Sequence, residues 1–93
     1  MWVRIREIAF PVDQVELVVA HVRDTTVARY CGDAYRGSRL LVDRVGGTAL
    51  EVSYWQTEQG ARDDQTLTGV DPVGVPGGSV LRTRCYELGI DAG

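Results

Sequence analysis

The sequence predicts an α+β domain: a four-stranded antiparallel sheet with helices on one face, in the order strand, helix, strand, strand, short helix, strand. Three observations predict it. Alternating apolar and polar residues mark strands near both ends of the chain, a helical stripe of valines follows the first strand, and a Gly-Gly pair joins two β-patterned runs in the middle. At 93 residues, the chain suits one domain with a thin core, spanning residues 1–93.

Trp2 to Phe10 alternates arginine with aliphatic side chains. Val3 and Ile5 fall on one face, and Trp2, Ile8 and Phe10 on the other, as in a strand apolar on both sides. Pro11 closes it. Asp13 and Glu16 have the spacing of a capping box, which places a helix start there. Val15, Val18, Val19, Val22 and Thr26 then recur at helical spacing, leaving Glu16, Arg23 and Asp24 in water. Valine-rich composition alone favours a strand, but the period outweighs propensity. Gly32 is the expected stop.

The runs Ser38–Asp43 and Thr48–Trp55 flank Gly46-Gly47 and predict a hairpin. Thr57 is placed to cap a second helix through Glu58, Gln59, Ala61 and Arg62, which Gly60 weakens, so two or three turns are the most expected. Residues 68–79 carry Gly69, Pro72, Gly74, Pro76, Gly77 and Gly78, a density that predicts a loop. Alternation resumes from Val80 to Leu88, giving the fourth strand.

That order is the split βαβ arrangement, also called ferredoxin-like, whose helices cover one face of the sheet. The strands here are apolar on both faces, since Leu41 opposes Leu40 and Val42, and Trp55 opposes Val52 and Tyr54. An uncovered apolar sheet invites aggregation, and pairing two sheets across a twofold axis into a dimeric α/β barrel covers it. A homodimer is therefore expected. The alternative is that the glycine-rich loop folds over the open face.

Composition excludes several classes. The chain is 44% apolar and 25% charged, ordinary for a globular protein. Its net charge of −3 gives no electrostatic reason to expect nucleic acid or an anionic membrane as partner. No signal-peptide pattern or long apolar run occurs, so the expected location is cytoplasmic. Cys31 and Cys85 lack the paired spacing of structural zinc sites and are expected as buried thiols, and with one histidine and no asparagine no metal site is expected. Phosphate-binding and dinucleotide motifs are missing, and all ten cations are arginines.

The stretch Tyr35-Arg36-Gly37-Ser38-Arg39-Leu40-Leu41-Val42-Asp43-Arg44, with Glu51-Val52-Ser53-Tyr54-Trp55-Gln56-Thr57-Glu58-Gln59, resembles the antibiotic biosynthesis monooxygenase family. Phe10-Pro11-Val12-Asp13 and Tyr86-Glu87 fit as well, so the resemblance covers residues 2–64 and 80–88. It implies a dimeric barrel with a pocket between helices and sheet, used by some members for oxygenation without metal or flavin, so no cofactor is implied. Cofactor-free members accompany the Trp of the third strand with an Asn four residues before and a Tyr six after; Glu51 and Ala61 stand there instead. Heme-degrading relatives add an Asn on the first strand and a His on the second helix, and of that set only Trp55 is present.

Trp55, Ser53 and Glu51 share strand parity and are expected to face the helices, where an aromatic or quinone-like ligand could stack. The core-anchor reading of Trp55 is the stronger of the two. Glu51 on an inward face must be paired, protonated or near water. As a catalytic pair, Trp55 would position a ring and Glu51 would serve as general base on a phenol or hydroquinone. The competing reading is a cross-strand ion pair with an arginine of the first or fourth strand. Arg6 and Arg84, with Ser53, are the candidate substrate-binding residues, through forked hydrogen bonds to an anionic group. His21 lies off the apolar stripe and is expected in solvent. Among the four tyrosines none stands out. A cofactor-independent oxygenase and a noncatalytic dimeric ligand-binding module are both consistent with these residues.

Overall fold

A computed structural model describes residues 1–30, 32–63 and 71–92. Four strands, β1 (Trp2–Ala9), β2 (Tyr35–Asp43), β3 (Thr48–Trp55) and β4 (Ser79–Glu87), form one antiparallel sheet in the order β2-β3-β1-β4. Two helices, α1 (Val15–His21) and α2 (Glu58–Arg62), complete the predicted order. No described helix is long and apolar enough to cross a membrane.

The register sorts the faces. Trp2, Arg4, Arg6 and Ile8 of β1 lie opposite Trp55, Ser53, Glu51 and Ala49 of β3, and since side chains alternate along a strand this whole set shares one face. Ile8, Phe10, Ala49, Val18 and Val22 form a core there, with Leu40 and Val42 packed against it. Val73 and Val75, from the glycine-rich segment, belong to the same core. The described part of that loop therefore covers the helix side and leaves the other face alone. Residues 68–70 of the predicted loop lie outside the described residues.

The opposite face carries Val3, Ile5, Leu50, Val52 and Tyr54 in adjoining register positions, flanked by Leu41 and Tyr86. Leu41 remains 55% exposed and Tyr86 46%. Among the described residues, no helix or loop segment packs over this apolar face, although Val3 and Val52 at its centre are only 8% exposed.

Two expectations about α1 are corrected. Asp13 and Glu16 form no capping box: no side chain caps the helix, and the entry is a 3₁₀ turn over Val12–Gln14 behind Pro11. Glu16 instead pairs with Arg44 at the surface. The helix also stops before Gly32. It passes through a π-type segment, Val22–Thr26, and a 3₁₀ turn, Val27–Arg29, before Tyr30 turns extended. The stripe itself is as expected, with Val18, Val22 and Thr26 buried.

His21 is half-buried rather than solvated. Its Nε2 hydrogen-bonds the carbonyl of Asp71, whose carboxylate accepts from the Val73 and Gly74 amides at 2.9 and 3.0 Å. Those two bonds hold the Asp71 carboxyl below its ordinary range. The loop is thus strapped onto the end of α1, and Gly74 admits the contact because a Cβ there would fall 2.2 Å from His21 Cγ.

The hairpin turn follows its chemistry, with Asp43 Oδ1 accepting from the Val45 and Gly46 amides at 3.1 and 2.9 Å. Thr57 caps α2 as predicted, its Oγ1 accepting from Gly60 N at 3.0 Å. The helix runs for only five residues. Gly60 permits its close seat, since a Cβ there would lie 2.9 Å from Ala34 Cβ and 3.2 Å from Trp55 Cε3.

Candidate functional site

The helix side of β1 and β3 is polar at its centre. Glu51 is 2% exposed, a cost that only specific partners offset. The Tyr30 hydroxyl donates to Glu51 Oε1. Arg6, directly opposite in the β1–β3 register, places Nη1 3.9 Å from Glu51 Oε2. That second oxygen makes no hydrogen bond among the described residues. The cross-strand pairing open to Glu51 is thus formed, with Arg6 and at the long end of ion-pair distance.

Tyr30 is the residue the sequence did not single out. It sits at the first extended position after the α1 segment, where its ring meets Tyr35 and Trp55 with centroids 5.5 Å away in each case. Tyr35 and Trp55 close the triangle at 5.2 Å. Burial first, then the neighbouring Glu51 charge, pushes the Tyr30 phenol well above the ordinary tyrosine range. It is a donor that stays protonated.

Trp55 is 4% exposed, and its Nε1 donates to Ser53 Oγ at 2.8 Å. The shared parity of Trp55, Ser53 and Glu51 is therefore realised, and the indole is enclosed by Tyr30, Tyr35 and the α2 seat at Gly60. Arg4 completes the enclosure. Its guanidinium lies 5.1 Å from both the Tyr30 and Trp55 ring centroids, and Nη1 donates to the carbonyls of Ala61 and Asp63 at 3.4 and 3.2 Å. Nη2 of this buried side chain has no partner among the described residues.

Arg6 and Arg84 do not meet. Arg6 pairs in register with Thr83, and Arg84 with Ile5, so the two guanidinium groups leave opposite faces of the sheet. Arg84 does line an open recess of about 410 Å³ at the β4 edge, with Arg4, Arg62, Thr83, Cys85 and Tyr86. Cys85 is a half-buried free thiol rather than a fully buried one, with Sγ 3.5 Å from the Ala61 carbonyl oxygen. Cys31 lies outside the described residues. No metal-ligating cluster occurs among the described residues.

The molecule is thus a split βαβ domain with a buried carboxylate–phenol–guanidinium network on its helix side and an arginine-rich recess at one sheet edge. Among solved structures, the heme-degrader MhuD from Mycobacterium tuberculosis, determined with two hemes bound in its active site, is similar over 100% of both chains, with a TM-score of 0.69 at 19% sequence identity. That likeness shows the fold, the ferredoxin-like arrangement of the family the sequence resembles. No family model and no curated protein sequence matches the chain.

Proposed function

We propose that this protein is a homodimeric α/β barrel that binds a small anionic aromatic or quinone-like molecule in the recess at Arg4. One observation carries the reading: a recess of about 410 Å³, in the size range of small-molecule sites, is lined by three arginines, and one of them, Arg4, also stacks on the Tyr30 and Trp55 rings. Guanidinium groups bind carboxylates and phenolates through charge-assisted, forked hydrogen bonds. The apolar face that carries the exposed Leu41 and Tyr86 supports the dimer, since a second copy would cover it. Arg84 and Tyr86 stand on that face, so a second copy would wall the recess on their side. Calorimetric titration with salicylate tests the reading. Micromolar to low-millimolar binding that weakens in Arg62→Ala and Arg84→Ala supports it, and equal binding by benzyl alcohol would refute the anionic requirement.

The histidine does not fit a heme-iron ligand. An iron needs an axial donor, and His21, the single histidine, gives its Nε2 to the Asp71 carbonyl at the loop strap. The Tyr30 hydroxyl is held by Glu51, and ring contacts enclose Trp55.

Glu51 favours a second reading, cofactor-independent oxygenation, because Oε2 is buried without a hydrogen-bond partner. As a base, Glu51 would take a phenolic proton, and the anion would reduce dioxygen, so that a phenol and O₂ become a quinone and water. Binding stands first, since Arg6 and Tyr30 hold the carboxylate and Trp55 is packed as a core anchor. Oxygen uptake with a hydroquinone and polyphenol panel separates the two: uptake lost in Glu51→Gln supports catalysis, and no uptake across the panel supports binding alone.

A further inference from the structure

Cys85 stands where the Arg4 recess meets the open edge of the sheet. Strand β4 is an edge strand, and Cys85 lies opposite Arg4 in the β1–β4 register, so both side chains leave the helix face, beside the end of α2. Their heads converge on one acceptor. Cys85 Sγ donates to the Ala61 carbonyl at 3.5 Å, and Arg4 Nη1 donates to the same oxygen at 3.4 Å. Both residues line the recess. Arg4 is 2% exposed, and its Nη2 has no hydrogen-bond partner among the described residues, a penalty of burial that an incoming anion would offset. Arg62, by contrast, is already held by Glu58 through Nε at 2.9 Å. The recess therefore sets a half-buried free thiol beside an unsatisfied cationic donor.

We propose that Cys85 is a thiol–disulfide exchange site for a small disulfide whose carboxylate is held by Arg4. The inference rests on the anion-binding reading of the recess and adds a covalent step to it. In that step the Cys85 thiol gives its proton to water, and its sulfur attacks one sulfur of the reagent. The reagent's S–S bond breaks as the new bond to Cys85 forms, and the other half leaves as a thiolate that takes up a proton. Cys85 is oxidised and the departing half is reduced, so the disulfide is the only oxidant required. Arg4 contributes by holding the anionic reagent against the thiol, which turns a chance encounter into a local one. Cys85 points away from the sheet face proposed to pair, so dimerisation leaves it in the recess.

Two aromatic disulfides test the site on the full-length protein: dithiobis(nitrobenzoate), with a carboxylate on each ring, and dithiodipyridine, which is neutral. Each rate is divided by that of mercaptoethanol with the same reagent, and peptide mapping by mass spectrometry locates the adduct. Because both reagents meet the same sulfur, the ratio of the two normalised rates cancels its ionisation. A chain of net charge −3 repels the carboxylate reagent, so a thiol without a local cation gives a ratio below one. The expected ratio at Cys85 is about ten. Thr83→Asp, at an exposed position lining the recess, is expected to lower it about fivefold. Arg4→Gln, checked for folding by circular dichroism, is expected to abolish the preference, and Thr83→Asp keeps the charge test if that variant does not fold. A wild-type ratio at or below one, or an adduct confined to Cys31, would overturn the proposal. Calorimetry with salicylate on the same sample separates the two readings: such a failure with salicylate bound overturns the exchange site alone, and without salicylate binding it overturns both.

Discussion

The Tyr30 hydroxyl donates to Glu51 Oε1 across the helix–sheet interface, joining the end of the α1 segment to the centre of β3. The same carboxylate faces Arg6 in strand register. A charge buried at this depth is tolerable only while both neighbours remain, so the network that looks suited to proton chemistry is also a structural tie.

Removing the donor exposes that tie. Tyr30→Phe is expected to destabilise the fold by about 1–3 kcal/mol, because Oε1 is left buried without its hydrogen bond. Glu51→Gln should cost less than Glu51→Ala, since the amide retains an acceptor and the volume. Urea unfolding followed by tryptophan fluorescence checks the order.

Alkaline pH should loosen the protein through the same residue. The Tyr30 phenol is raised above its unfolded value near 10, chiefly by burial, so folding favours its protonated form. That contribution is complete below about pH 10 and is lost as pH rises beyond it, when the unfolded chain releases a proton that the folded chain keeps. Wild type is expected to lose up to about 1.4 kcal/mol per pH unit more than Tyr30→Phe in this range. Equal slopes in pH-dependent urea melts would contradict it.

Gly60→Ala reverses the usual sign for a helix. Alanine ordinarily stabilises a helical position by about 0.5–1 kcal/mol, but here a Cβ would fall 2.9 Å from Ala34 Cβ and 3.2 Å from Trp55 Cε3. A net loss of about 1–2 kcal/mol is expected, with a shift in Trp55 emission as α2 moves away.

Leu41→Asp tests the bare face. Leu41 stands opposite Leu50 in register and is 55% exposed, so the substitution leaves the helix-side core untouched and places a charge in the proposed dimer seam. Light scattering should give twice the chain mass for wild type at micromolar concentration and a monomer for the variant.

Much of the fold was legible, because it is written in short-range periodicity: the alternation of β1, the Gly46-Gly47 hairpin, the Thr57 cap and the valine stripe of α1. The parity of Trp55, Ser53 and Glu51 likewise placed them on one face. What could not be read depends on pairing. Whether Arg84 stands beside Arg6 or one position off is decided by the β1–β4 register, and the register pairs Arg6 with Thr83. Burial of Arg4 and Arg6 runs against the general exposure of arginine, and Tyr30 lies beyond a π-type segment that shifts helical phase in a way no local pattern marks. The capping box failed because Pro11 starts a 3₁₀ turn that carries the chain into α1 without a side-chain cap.

The binding account meets its most direct test in a titration of the ¹⁵N-labelled protein with salicylate, mapped by amide and arginine side-chain shifts. Saturable shifts concentrated at Arg4, Arg62, Thr83, Arg84 and Cys85 are the predicted result. Saturation without movement of these residues, or no shifts at millimolar ligand, would contradict it.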